Sequence, residues 1–420
     1  MDSILRADPR ALPAQTEVWA AVGREVKRPL IASLARPSVS LIAMDRHDVL
    51  IVGAGPAGLA VAASLRRHHV PFAVIEAGTG VGASWRAHYD RLCLHTVKAH
   101  SALPGLAFAT DVPRFPTRAQ VIAYLDSYAA HFGIAPRFNT RLERATPAST
   151  DGAGWEVHTS DGPYRVRHLV MATGLNRRPV RPSWPGESDY RGRILHSVDY
   201  RSGAPFSGQR VVVVGMGNTG AEIALDLHEH AARATISVRT PANILPREFL
   251  GTPLQVTALR MARLPVWLRD RMGRFTARMA FGDLSAFGLP APAYGPATQM
   301  RKYGRTPVLD VGTVQRIRAG DIAVVPGIES FTATGIRCTD GRAVEAEVVI
   351  LATGYRAALH ELIDAPGLID DDGAPRLEVA GNPAARTIHF IGYRNTMTGL
   401  LRQVGIDAES VARAIELTPL

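Results

Sequence analysis

A chain of 420 residues, 46% of them hydrophobic and 20% charged, has the composition of a globular protein long enough for two or three domains. Its net charge of +10 does not point to nucleic acid: Lys27, Lys98 and Lys302 are the only lysines, the remaining basic residues are arginine, and no basic run is interleaved with aromatics. Cys93 and Cys338 are the only cysteines and form no C-x-x-C pair. A disulfide framework and a dithiol redox centre are therefore not expected, and the setting reads as reducing and cytoplasmic. No apolar run reaches membrane-spanning length, and the N-terminus has no secretory pattern. The nearest approach to a metal-ligand motif, His228-Glu229-His230, splits its imidazoles around a helix, so no metal is expected.

Residues 1–43 read as an N-terminal arm broken by Pro9, Pro13, Pro29 and Pro37. Met44 precedes the first apolar strand and is a candidate natural start, which makes the arm an expected dispensable segment. From His47-Asp48-Val49-Leu50-Ile51-Val52 onward strands and helices alternate, predicting an α/β fold with parallel sheets. Its organisation is expected to be two Rossmann-like dinucleotide-binding domains. The first spans 44–205 and resumes at 343–420, and the second is inserted at 206–342.

The first domain opens on Gly53-Ala54-Gly55-Pro56-Ala57-Gly58, between an apolar strand and a helical run. Glycines there allow a tight turn, close approach of backbone to a pyrophosphate, and tight packing of helix on strand. The next strand ends at Glu76, where a carboxylate can accept hydrogen bonds from ribose hydroxyls. Strand, glycines, helix, strand and acid in that order form a specific signal.

The second fingerprint, Gly215-Met216-Gly217-Asn218-Thr219-Gly220, follows Val211–Val214. Its next strand ends not in an acid but in Arg239-Thr240, and no acid lies between Glu229 and Glu248. A guanidinium at that point pairs with a 2′-phosphate where a carboxylate would repel it, so this site is expected to prefer NADPH to NADH. The plainer alternative is an arginine on a solvated strand end. Two nucleotide sites on one chain imply electron transfer between them, and a known division of labour puts FAD at the N-terminal fingerprint and the nicotinamide at the inserted one. Ala172-Thr173-Gly174 and Ala352-Thr353-Gly354, each after an apolar strand, mark the crossings between domains.

Gln255–Asp283 alternates Leu259, Leu264, Leu268, Met272, Phe275 and Met279 with arginines in helical rhythm. Such a stretch either lies on a membrane surface or forms a helical insertion over a substrate site, and the second reading is preferred.

Just before the second fingerprint, Tyr190-Arg191-Gly192-Arg193-Ile194-Leu195-His196-Ser197-Val198-Asp199-Tyr200 resembles the signature of the flavin-containing monooxygenases. The resemblance runs over roughly residues 47 to 415 and is nearest to the plant-type YUCCA branch, the indole-3-pyruvate monooxygenases. It is carried by Tyr89-Asp90-Arg91-Leu92, Leu245-Pro246-Arg247-Glu248, Thr306-Pro307-Val308-Leu309-Asp310-Val311-Gly312 and Leu351-Ala352-Thr353-Gly354-Tyr355.

The resemblance implies an NADPH- and dioxygen-dependent flavoprotein with a small-molecule substrate and no nucleic-acid partner; a homo-oligomer is possible. An aromatic 2-oxo acid such as indole-3-pyruvate is the expected substrate. N- or S-oxygenation, Baeyer–Villiger chemistry and a non-oxygenating redox sensor are the alternatives. Ser84, Trp85 and Arg86 match a family turn beside the flavin. His95 matches a YUCCA histidine at the position where relatives carry Asn, and Lys98 matches a family lysine. Both are expected to tune the oxygenating step, against the plain readings of a core histidine and a solvated loop lysine. Asn218 is placed near the nicotinamide, or is simply a helix-capping residue. Leu401, in Gly399-Leu400-Leu401, precedes a last helix whose dipole would face the flavin. Tyr393–Thr398 is longer than its YUCCA counterpart, at the point where substrate is expected to enter.

Overall fold

The computed structural model describes residues 45–149, 154–376 and 382–418; the arm and Met44 lie outside the described residues. The unit spanning Ala43–Leu420 is built on two main sheets, the first mixed and the second wholly parallel. In the first, Asp45–Val52 lies between Ala73–Ile75 and the long strand Gly162–Met171, all three parallel. Val49, Leu50, Ile51 and Val52 are all buried, the continuous apolar run expected of a strand covered on both faces. The helix Pro56–Arg67 starts with proline at its first position, where no amide hydrogen is needed, and is buried from Ala57 to Leu65. It packs against the C-terminal helix Leu400–Glu416. On the far side of Gly162–Met171, Trp155–Thr159 pairs antiparallel with its first half and Ile388–Phe390 parallel with its second.

The second sheet runs Ala323–Pro326, Arg233–Val238, Arg210–Val214, Val348–Leu351, Arg193–His196, every neighbouring pair parallel. This pairing corrects the expected boundaries. Ile350 stands opposite both Val213 and Leu195, so residues on either side of 206–342 belong to the second sheet. Parallel neighbours are joined by long crossovers, and chain order alone does not reveal which distant strand closes an edge. The segment Tyr190–Tyr200 supplies that edge strand. Tyr190 Oη donates to the Ala346 carbonyl at 2.9 Å and Tyr200 Oη to Asp226 Oδ2 at 2.6 Å, tying both ends to residues around the second sheet.

The stretch 255–283 is not one helix. Pro265 separates Leu254–Arg260 from Val266–Phe281, because proline removes an amide donor and clashes with the preceding turn. Val266–Phe281 turns Asp270 and Gly273 inward and leaves Trp267, Phe275 and Met279 exposed. Asp270 Oδ1 accepts from the amides of Ala297 and Thr298 at 2.7 and 3.1 Å and so caps the helix Pro296–Tyr303. Among the described residues no helix is long and apolar enough to cross a membrane.

Within the first sheet, His168 is fully buried and its Nδ1 lies 3.3 Å from Nε2 of His389 on the neighbouring strand. Burial pushes both imidazoles down to about 4, with Arg167 adding to the effect on His168 and His168 to that on His389. A histidine kept neutral in the folded protein takes up its proton only on unfolding. The stability it contributes is therefore complete above the ordinary pKa of 6.5 and is lost as pH falls toward 4. The urea midpoint of the parent is expected to drop between pH 7 and pH 5, and His168→Phe should lessen that drop. An equal drop in the two proteins would show that the pair does not contribute.

Candidate active site

The two glycine turns have nearly the same backbone. Gly53 and Gly215 sit at φ +107° and +111°, a region that disfavours any side chain. A Cβ on Gly58 would stand 1.9 Å from the Gly53 carbonyl oxygen, and one on Gly220 2.0 Å from that of Gly215. These glycines let each helix lie on its own turn. Gly55 and Gly217 differ: a Cβ there meets nothing within 4 Å. Their backbone is ordinary, with φ −79° and −98°, so what the glycine provides is room on the open side of the turn. Each turn thus leaves a cradle in front of the first amides of a helix, the arrangement that receives a pyrophosphate.

The first turn opens into a cavity of about 1280 Å³. That exceeds the roughly 300–1,000 Å³ of a small-molecule pocket and leaves room for a dinucleotide and a second reactant. Gly53, Gly55, Pro56 and Ala57 line it beside Glu76. The Glu76 carboxylate accepts from the Ala54 and Gly78 amides, each at 2.7 Å, and its remaining lone pairs can accept from ribose hydroxyls. Ser84 and Trp85, Thr173 and Gly174, and Leu401 also face the cavity. The helix Asn218–Glu229, which follows the second-sheet strand Arg210–Val214, contributes Asn218, Thr219 and Glu222. Both nucleotide turns are thereby represented in one space, although Gly215 and Gly217 are not part of its wall.

His95 reaches the cavity on a segment clasped from both sides. Leu94 and Lys98 donate backbone hydrogen bonds to Pro116 and Arg114, and the Val97 amide donates to Gln255 Oε1 at 2.8 Å. Gln255 is buried at the start of the helical insertion and donates through Nε2 to the Thr398 carbonyl at 2.6 Å. It is thus the short helix Leu254–Arg260 that reaches this region. His95 Nε2 lies 2.6 Å from Oε1 of Glu222, a buried carboxylate on the second-fingerprint helix. Tyr89 lines the cavity with Thr219 and Glu222, and burial pushes its phenol far up.

Asn218 has both ends engaged. Oδ1 accepts from the Leu309 amide at 2.7 Å, and Nδ2 donates to the Pro307 carbonyl at 3.2 Å. It pins the start of the strand Val308–Asp310 to the fingerprint and does not cap its own helix.

Several expected site residues lie elsewhere. Lys98 is off the cavity, its ammonium donating to the carbonyls of Ala109, Thr110 and Val112 at 3.1, 2.8 and 2.5 Å. A cation satisfied by three carbonyls stabilises a loop, and its expected part in oxygenation is withdrawn. Arg86 is likewise turned away. It donates to the Val81 carbonyl at 2.8 Å and pairs with Asp126 at 2.6 Å. Gly58 and Gly220 pack each helix on its turn and are not part of the cavity wall. Arg239 and Thr240 are exposed at the end of Arg233–Val238, outside the cavity, and Arg239 has no acidic partner among the described residues.

Glu222, Tyr89, Gln255 and Asn395 were not expected. Glu222 carried a readable signal: it is an acid set, like Asp226 one turn on, in an otherwise apolar helical run with Ala221, Ile223, Ala224 and Leu225. Asn395 lines the cavity and donates to the Gly304 carbonyl at 3.4 Å, from within the lengthened Tyr393–Thr398 segment. Tyr393 Oη meets the Thr173 amide at 3.1 Å and its hydroxyl at 2.7 Å, holding the Ala172-Thr173-Gly174 turn. Burial pushes the Tyr393 phenol up to about 12.

Comparison with known proteins agrees with this arrangement. Residues 50–246 match a family described as pyridine nucleotide-disulphide oxidoreductase, although both cysteines are free here. The chain is 39% identical to the probable indole-3-pyruvate monooxygenase YUCCA3 of Arabidopsis thaliana, over 87% of this chain and 86% of that one. It is 40% identical to the indole-3-pyruvate monooxygenase YUCCA1 of Oryza sativa subsp. japonica, over 87% and 90%. A mutant flavin monooxygenase from Stenotrophomonas maltophilia superposes with TM-score 0.68 at 25% identity, covering 89% of this chain and 99% of that one. The chain belongs to the YUCCA-type family of flavin monooxygenases, enzymes that work with FAD and NADPH.

Proposed function

We propose that the enzyme converts an aromatic 2-oxo acid of the indole-3-pyruvate kind to the acid one carbon shorter. The balance is 2-oxo acid, O2, NADPH and a proton giving carboxylic acid, CO2, water and NADP+. One observation carries this reading: the first glycine turn, the His95 segment and the start of the second-fingerprint helix all face one cavity. The two sheets act as Rossmann-type FAD and NADPH domains. Gly53 to Gly58 with Glu76, Ser84, Trp85, Thr173, Gly174 and Leu401 would hold FAD. Gly215 to Gly220 with Arg239 and Thr240 would hold NADPH. Bound FAD supplies hydride acceptance from NADPH and activation of dioxygen.

The chain's own residues orient the reactants and exclude water. Arg305 lines the cavity two residues from Pro307, whose carbonyl Asn218 holds, and has no acidic partner among the described residues. It is the cation we assign to the substrate carboxylate. The test follows NADPH consumption, hydrogen peroxide and product together. Indole-3-pyruvate is expected to suppress peroxide and yield indole-3-acetate. An amine or sulfide that suppresses peroxide where the 2-oxo acid does not would overturn the assignment.

A further inference from the structure

His95 belongs to the segment that faces the first glycine turn across the cavity, and Glu222 to the helix that begins at the second glycine turn. Their 2.6 Å contact joins the two nucleotide-binding halves inside the cavity. The Glu222 side chain is 4% exposed and that of His95 15%. A carboxylate placed so deep beside an imidazole accepts from its N–H, which determines the tautomer: Nε2 carries the hydrogen. Nδ1 has no hydrogen-bond partner among the described residues. It is the ring atom left to exchange a proton.

We propose that Glu222 is a positioning residue, clamping His95 across the boundary between the sheets so that Nδ1 serves the cavity as its proton-exchanging atom. A buried acid that orients a histidine for proton transfer is a general catalytic device. Here the acid rides on the nucleotide-binding helix, so the placement of that helix determines whether His95 is set. The proposal rests on reading the cavity as the flavin site.

The other titratable groups facing Glu222 are poor substitutes. From the His95 segment, Tyr89 and Cys93 are pushed up by burial and stay protonated, and His88 is pushed down by burial and stays neutral. Arg91 and Arg247 act on these groups as fixed positive charges, as do Arg118 and Arg201 on His88.

The experiment uses the full-length, flavin-loaded protein as parent, Glu222→Gln, Glu222→Asp, His95→Gln and the Glu222→Gln/His95→Gln double variant. Three quantities are read: anaerobic bleaching of the flavin by NADPH, product per NADPH from pH 6 to 8.5, and thermal stability. In Glu222→Gln, bleaching is expected within about two-fold of the parent, while product per NADPH falls roughly 10- to 100-fold and loses its pH dependence. Glu222→Asp should recover part of the coupling. The double variant should be no worse than the worse single, in product and in stability, because one interaction is being removed twice. Additive losses, or an unmoved pH profile in Glu222→Gln, would overturn the clamp. So would a Glu222→Gln protein that lost FAD or resisted bleaching, which would mark the acid as purely structural. Failure of the parent itself to be bleached by NADPH would instead sink the reading of the cavity.

Discussion

Gly55→Val is expected to give a folded protein that purifies colourless. Gly55 has an ordinary backbone conformation, and a Cβ there touches nothing within 4 Å, so the chain itself tolerates a side chain. The atoms added by valine occupy the open side of the turn instead, in front of the helix Pro56–Arg67, where the FAD pyrophosphate must approach the backbone. Flavin absorbance should disappear, while circular dichroism and solubility stay near those of the parent freed of FAD. Gly58→Val provides the contrast. Its Cβ would stand 1.9 Å from the Gly53 carbonyl oxygen, an overlap that only separation of helix from strand can relieve. A cost above about 4 kcal/mol is expected for such a forced shift, enough to prevent folding in many domains. Full flavin occupancy in Gly55→Val would show that the first cradle does not hold the pyrophosphate.

Arg239→Ala is expected to weaken NADPH roughly ten- to hundred-fold and to leave NADH within about two-fold. Arg239 ends the strand after the second fingerprint, exposed and without an acidic partner among the described residues, so its guanidinium is available to a ligand. A charge-assisted hydrogen-bonded pair with a 2′-phosphate is worth about 1.5–3 kcal/mol, which sets the size of the effect. Only NADPH carries that phosphate, and the loss should therefore be selective. Anaerobic titration of flavin reduction with each nucleotide measures it directly. Parallel losses for NADPH and NADH would mean that Arg239 supports the strand end and does not read the phosphate. Preference for NADH in the parent would remove the basis of the assignment altogether.

Local features were legible in the sequence because local physics decides them. A glycine turn has one workable backbone, and both fingerprints adopt it with φ near +110° at Gly53 and Gly215. The buried strand Val49–Val52 and the proline-led helix Pro56–Arg67 follow from apolar continuity and helix-start chemistry. Glu76 at its strand end, and Arg239 in place of an acid at the equivalent end, could be read from spacing alone. What the residues around the flavin-side segment do could not. Lys98 looked like an active-site cation until the fold turned three loop carbonyls toward it. His95 could have been a plain core histidine, and only the fold brings it against a carboxylate 127 residues away. The edge of the second sheet was hidden for the same reason, since Arg193–His196 joins it only through Val348–Leu351, a strand far along the chain. Turn geometry and strand burial are set by residues within a few positions of one another. The partner of a buried charge and the neighbour of a parallel strand are set by which distant segments pack together, and that is decided only when the whole core closes.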